Sequence, residues 1–240
     1  MTLEIKRQVV LDTETTGMNH SGCFYNQHRI IEIGAVEIIN RRLTGNNFHT
    51  YIQPNRLINP QAFSVHGISD IFLKNKPIFG DIAKDFLNYI SGAELIIHNA
   101  SFDIGFINYE LSMLNLTIKN VLSICNIIDT LLIARKLFPG KKNTLDALCL
   151  RYDIDNSNRS LHSAITDAKL LAMIYLLMTS RQNEIHFINK NINNQTFIVN
   201  NQYSKKNFSV HIQWATKNEI EKHKEYLKFM ISKNKKCIWN

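Results

Sequence analysis

Apolar positions fall into short runs in the first third of the chain and into helical spacing after it. Gln8 to Leu11 is a brief apolar run ending in Asp12-Thr13-Glu14-Thr15-Thr16-Gly17, Ile30 to Ile39 is a second run, and Asn46 to Ile52 a third. Thr44-Gly45-Asn46 offers turn residues between the last two, which predicts a hairpin. A loop containing Pro54, Pro60 and His66-Gly67 follows. Ile78, Phe79, Ile82, Phe86 and Ile90 then recur at helical spacing. Glu94 to His98 reads as a short buried strand, with a helix from Ser101 to Leu114 behind it. Further helices are expected from Asp129 to Leu137, stopped by Pro139-Gly140, from Thr144 to Arg151 with Asn143 or Thr144 as cap, and from Ser163 to Met178. Strands first, then strands alternating with helices, argue an α/β domain with a mixed sheet and helices on its faces.

Beyond Thr179 the pattern changes. To about Ser209 the chain is rich in Asn, Gln and Lys without periodicity, which predicts a flexible linker. Ser209 to Trp214 alternates, with Val210, Ile212 and Trp214 on one face, and Thr216-Lys217-Asn218-Glu219 fits a capping box opening a short helix. Ile220, Leu227 and Met230 or Ile231 lie along one side of that helix. A strand and one helix cannot enclose a core, so their apolar faces call for a partner. The expected division is a main body over 1–180, a linker over 181–208 and a strand-helix segment over 209–240.

Composition adds a direction. The chain has 240 residues, 45% of them hydrophobic, enough for one full core. Its formal net charge of +8 favours acidic partners, nucleic acid first among them. Residues 190–240 hold ten Lys, no Arg and three Glu, so almost all of that charge lies in the tail. A near-neutral body that works on a polyanion would draw its positive charge from metal ions, while the tail docks. Cys23, Cys125, Cys149 and Cys237 show no C-x-x-C spacing, which predicts a reduced protein without a zinc site. The opening residues lack the apolar run of a signal peptide and no stretch approaches a membrane span, so a cytoplasmic location is expected.

Three acidic groups carry candidate chemistry. The two-residue period of a strand puts Asp12 and Glu14 on one face, where they repel unless a cation lies between them, although the same residues also make an ordinary turn. Asp103 falls in the first turn of a helix, where the dipole makes acids common. His162 and Asp167 would stand about 140° apart on one helix, at roughly 100° per residue. Both can face one site only if His162 lies before the helix or at its start.

In this order and spacing, Asp-x-Glu-Thr-Thr-Gly over 12–17, His-Asn-x-x-Phe-Asp over 98–103 and His-x-x-x-x-Asp over 162–167 resemble the three motifs of the DEDD exonuclease superfamily, in its His-containing branch. Within it the chain is most similar to the proofreading exonuclease subunits of bacterial DNA polymerase III, over essentially its whole length, including 40–49 and 134–141. The resemblance implies a ribonuclease H-like mixed five-stranded sheet flanked by helices, and 3′→5′ removal of misincorporated nucleotides from DNA. It implies two divalent cations, Mg²⁺ or Mn²⁺, on oxygen ligands. Asp12 would bridge both, Glu14 and Asp167 complete the first site, and Asp103 is assigned to the second. His162 would be the general base, since imidazole ordinarily titrates near pH 6.5.

The resemblance also implies that the substrate borders Asp12, Glu14 and Asp167, that Gln61 and His66 contact the terminal nucleotide, and that Thr15 and Phe102 pack against its base or sugar. The family pattern has Glu where Gln61 stands; Gln still hydrogen-bonds a hydroxyl, so a retuned contact is expected rather than lost activity. Gln182, Ile185 and Phe187, within 182–187, resemble the peptide that sliding clamps accept in an apolar groove. The segment over 209–240 matches the end that binds the polymerase III alpha subunit, and the family also takes a small theta-type subunit on its exonuclease domain. A free-standing trimming exonuclease would share the chemistry but usually lack the linker and tail. A clamp-to-polymerase scaffold with a dead nuclease domain is opposed by the presence of all four acids and His162.

Overall fold

The computed structural model describes residues 7–157, 161–180 and 214–234. The chain divides into two units, Met1–Ile185 and His186–Asn240. In the first, β1 (Arg7–Thr15), β2 (Ile30–Ile39), β3 (Arg42–Tyr51), β4 (Glu94–Ile97) and β5 (Asn126–Asp129) form one sheet in the order β3-β2-β1-β4-β5. The first three strands are antiparallel and β1, β4 and β5 run parallel, so the sheet is mixed. Four residues, two of them polar, leave β5 too short to read from pattern alone.

Alternation along β1 splits the core in two. Val9 and Leu11 face α3 (Phe79–Ile90) and α4 (Ala100–Ser112), packing with Phe86, Ile90, Phe106 and Leu111. Val10 faces the other way, onto Ala168, Leu171 and Tyr175 of α7 (Ala164–Met178). All of these are less than a tenth exposed. Fully burying each large side chain contributes about 1.5–3 kcal/mol. The period of two that buries Val10 also puts Asp12 and Glu14 on the α7 side of the sheet.

Two local expectations are corrected. The β2–β3 turn is not Thr44-Gly45-Asn46 but Asn40-Arg41, both at positive φ (50° and 62°), as a two-residue type I′ hairpin requires. Pairing continues to Ile39 opposite Arg42, leaving only two residues for the turn. Gly45, at φ 83°, instead serves a bulge in β3 where the register with β2 shifts, and Thr44 Oγ1 donates to Glu37 Oε2 at 2.8 Å there. The expected loop around Pro60 holds two helices, α1 (Pro60–His66) and α2 (Asp70–Leu73). Pro is favoured in a first turn because its missing N–H would be unpaired there anyway. Asn59 Oδ1 caps α1 by accepting from Gln61 N at 2.9 Å, and Gly67 at φ 67° ends it.

The remaining helices fall near their expected places. Asp129 caps α5 (Thr130–Leu137), and Thr144, not Asn143, caps α6 (Leu145–Arg151). In the second unit, α8 (Lys217–Asn234) is longer than the short helix anticipated, and Thr216 and Glu219 form its capping box, with Glu219 N donating to Thr216 Oγ1 and Thr216 N to Glu219 Oε2. The expected clamp-like peptide over 182–187, the linker and all but Trp214 of the strand over 209–214 lie outside the described residues. Among the described residues no helix is long and apolar enough to cross a membrane.

Candidate active site

The end of β1 is where the acids meet. Asp12 and Glu14 face α7, and across the sheet their register partners on β2 are Gly34 and Glu32. A Cβ at Gly34 would sit 2.2 Å from Ile165 N and 2.3 Å from Ala164 C, so only glycine lets the first turn of α7 rest on the sheet. Glu32, fully buried, anchors that turn: its Oε2 accepts from Ala164 N at 3.1 Å and its Oε1 from Ser163 Oγ at 3.0 Å. His49 Nε2 lies 2.8 Å from the same Oε1, linking the anchor to β3.

This seating puts Asp167, in the first turn of α7 and 3% exposed, above Asp12 and Glu14. His162 precedes the helix, as its spacing required, with its N–H bonded to Val65 O at 3.1 Å and its Nδ1 3.2 Å from Asp167 Oδ2. One ligand atom each from Glu14, His162 and Asp167 lie within 4.8 Å of one another, a group able to hold a metal ion.

Asp103 closes the site from α4. It is 3% exposed, and Thr13 Oγ1, between the two acids of β1, donates to its Oδ1 at 2.7 Å. Burial pushes the Asp103 carboxyl up to about 7; bonds from Thr13 and the backbone oppose the rise and the nearby Asp129 adds to it. Asp129 fixes this corner by accepting from Asn99 N and Ala100 N, both at 3.2 Å, and from Leu131 N at 2.8 Å. One carboxylate thus caps α4 and α5 together. Asp12, Glu14, Asp103, His162 and Asp167 all line one cavity, with His98, Asn99 and Phe102.

A second cavity adjoins the first, sharing Glu14 and Phe102, and brings in Thr15, Gln61 and His66. Ile68 N donates to His66 Nδ1 at 3.0 Å, which leaves the neutral ring's proton on Nε2. That Nε2 is buried and completes no hydrogen bond among the described residues. Burial holds the imidazole below its usual range, the Thr15 backbone opposing and His162 adding to the shift. With only the Thr15 backbone near it and no completed hydrogen bond, this buried donor is open to a ligand oxygen. Phe102 is steadied by a stacked Phe24, ring centroids 5.4 Å apart.

All seven substrate-contacting candidates from the main body, with Asp103 and His162, therefore fall around two contiguous cavities. Thr13, Glu32, Gly34 and Asp129 were not singled out from the sequence. Thr13 stood as a spacer between acids, and the others act across strands or between helices, where no local pattern signals them.

The family model described as Exonuclease (RNase_T) matches residues 9–175. The chain is 62% identical to the DNA polymerase III subunit epsilon of Buchnera aphidicola subsp. Schizaphis graminum, over 95% of this chain and 98% of that one. It is 50% identical to the subunit of that name from Escherichia coli K12, over 100% and 99%. Among solved structures, Exonuclease X in complex with 5′ overhanging duplex DNA superposes with a TM-score of 0.52 at 27% identity, covering 72% of this chain and 92% of that one. Escherichia coli Exonuclease I with a dA16 oligonucleotide, at 17% identity and a TM-score of 0.61 over 74% of this chain and 41% of that one, shares the fold.

The raised Asp103 carboxyl sets a pH dependence of stability. Between its ordinary value of 3.8 and about 7 the folded state holds a proton that the unfolded state has released, so stability declines as pH rises through this window. In urea unfolding with chelator, Asp103→Asn is expected to shift the change in stability between pH 5 and pH 8 toward greater stability at pH 8, because it removes this loss. An unchanged difference in the variant would contradict this.

Proposed function

Because this chain belongs to the exonuclease family, and within it to the epsilon subunits of DNA polymerase III, we propose that Asp12, Glu14, Asp103 and Asp167 hold two divalent cations, Mg²⁺ or Mn²⁺, with His162 as general base. The chain is a metal-dependent 3′→5′ exonuclease that proofreads DNA. The observation that carries the site reading is the approach of Glu14, His162 and Asp167 within one cavity that also holds Asp12 and Asp103. Carboxylates crowded in this way repel one another unless cations lie among them, and oxygen donors suit hard cations. Bound cations would neutralise the phosphate's nonbridging oxygens and stabilise the attacking and leaving oxygens.

The chain's own residues supply the rest. With the Nδ1 proton of His162 directed to Asp167, Nε2 keeps its lone pair and takes the proton of the attacking water. The unpartnered Nε2–H of His66 and the Gln61 amide receive oxygens of the terminal nucleotide, while Phe102 and Thr15 bound its base or sugar. The grouping of His162 with Glu14 and Asp167 favours one alternative, in which its ring nitrogen is itself a ligand.

We further propose that the protein works in the cytoplasm, its tail joining it to a replication complex. Exposed Ile220, Tyr226 and Ile231 on α8 support binding of the polymerase III alpha subunit through 209–240. The Gln182, Ile185 and Phe187 pattern supports a sliding-clamp contact. Exposed Leu57, Ile71 and Phe72 on the first unit offer apolar area to a small theta-type subunit.

Release of 3′-terminal nucleotides from a mismatched primer with Mg²⁺ tests the chemistry. Asp12→Ala is expected to abolish release; equal activity in both proteins would sink the mechanism. His162→Gln should lose about 10²–10⁴-fold in turnover while retaining Mn²⁺ affinity. Loss of both together would make His162 a ligand. A chain ending after Ser180 should still cleave but no longer be retained on the polymerase, and undiminished retention would rule out the tail as tether.

A further inference from the structure

A 3′ exonuclease must hold a single nucleoside on one side of the scissile phosphate and a continuing polyanion on the other. The cavity around Gln61 and His66 suits the first task. It encloses about 270 Å³, and Met18, Val65 and Phe102 give it an apolar lining. On the opposite flank of the acids, a third cavity of about 630 Å³ shares His98, Asn99 and Leu145 with the metal site. No carboxylate lines it, and two cations do, Arg135 from the last turn of α5 and Lys141 just past the Pro139-Gly140 turn. Neither side chain has a hydrogen-bond or ion-pair partner among the described residues.

The wall that carries Lys141 is held in place. His98 Nε2 lies 2.9 Å from Asn143 O, Arg151 donates to Asn143 Oδ1 and Lys142 O at 3.0 Å each, and the Arg151 guanidinium stacks 4.2 Å above the Phe138 ring. The groove is thus built on fixed backbone, not on a free loop. Arg135 lines this groove together with His98 and Asn99, which it shares with the metal site. The body carries little net charge of its own, because the excess lies in residues 190–240. Arg135 and Lys141 are therefore a local concentration of positive charge on a body of little net charge, with Lys136 and Lys142 adjacent to them in sequence.

We propose that this groove carries the DNA strand on the 5′ side of the scissile phosphate, with Arg135 and Lys141 contacting its backbone phosphates. The assignment rests on the exonuclease reading above and adds a direction to it: the strand enters past α5 and α6, crosses the acids, and ends against His66. Backbone contacts of this kind are independent of sequence, as removal of any mismatched nucleotide demands.

The test uses the full chain and two substrates, a short single-stranded oligonucleotide and the 4-nitrophenyl ester of thymidine 5′-monophosphate, which has no upstream phosphates. Arg135→Gln with Lys141→Gln is expected to raise KM for the oligonucleotide by on the order of tenfold at low salt. The slope of log KM against log salt should fall by about 0.7 for each charge removed. Hydrolysis of the ester should stay unchanged, and Lys136→Gln, which removes a neighbouring cation outside the groove, should alter neither substrate. An unchanged KM and salt slope for the oligonucleotide would overturn the proposal, as would an equal loss on both substrates, which would mark a disturbed active site. If the unaltered protein failed on the ester as well, the exonuclease reading itself would fall and the groove with it.

Discussion

One close approach of backbone to backbone organises this molecule. Gly34 has no side chain, so the first turn of α7 lies against β2 at a distance that any Cβ would forbid. Because Gly34 is the register partner of Asp12, the contact brings the helix to the acids. Glu32, two residues earlier on the same face, fixes the turn by binding Ser163 and Ala164. Without that seat Asp167 and His162 have no reason to stand above Asp12 and Glu14. The arrangement concentrates carboxylates at one edge of the sheet, which costs free energy in the absence of a cation.

The opposite wall obeys a related logic. Asp129 caps two helices at once, and Thr13 holds the buried Asp103 from between the two acids of β1. Asp103 and Asp167 thus each come from a helix whose first turn is held by a second carboxylate, Asp129 for α4 and Glu32 for α7. Rigid elements position such groups more tightly than loops can. The exception is His162, which stands in the segment before α7; its backbone bond to Val65 ties that segment to α1, the helix that also carries Gln61 and His66. The acidic cavity and the cavity lined by Gln61 and His66 therefore share a support.

Much of this was legible in the sequence. The alternation in β1 placed Asp12 and Glu14 on one face, and the angular argument on His162 and Asp167 correctly required the histidine to precede the helix. Helices with a clear apolar period were found to within a residue or two. Pro60 misled because a proline in a first turn looks like a loop when its cap, Asn59, is not recognised. Gly45 misled because a bulge and a turn want the same residue. Glu32 and Gly34 were invisible for a different reason: their roles exist only once β2 lies beside β1 and α7 lies on both, a tertiary fact with no local periodicity.

The seat on β2 is the claim on which the account stands, and it is most directly tested by calorimetric titration of Mn²⁺ into the unaltered protein and into Glu32→Ala, with circular dichroism confirming that both are folded. Saturable binding to the unaltered protein, weakened at least tenfold in a folded Glu32→Ala, is the result predicted. Equal affinity in the two proteins would contradict it.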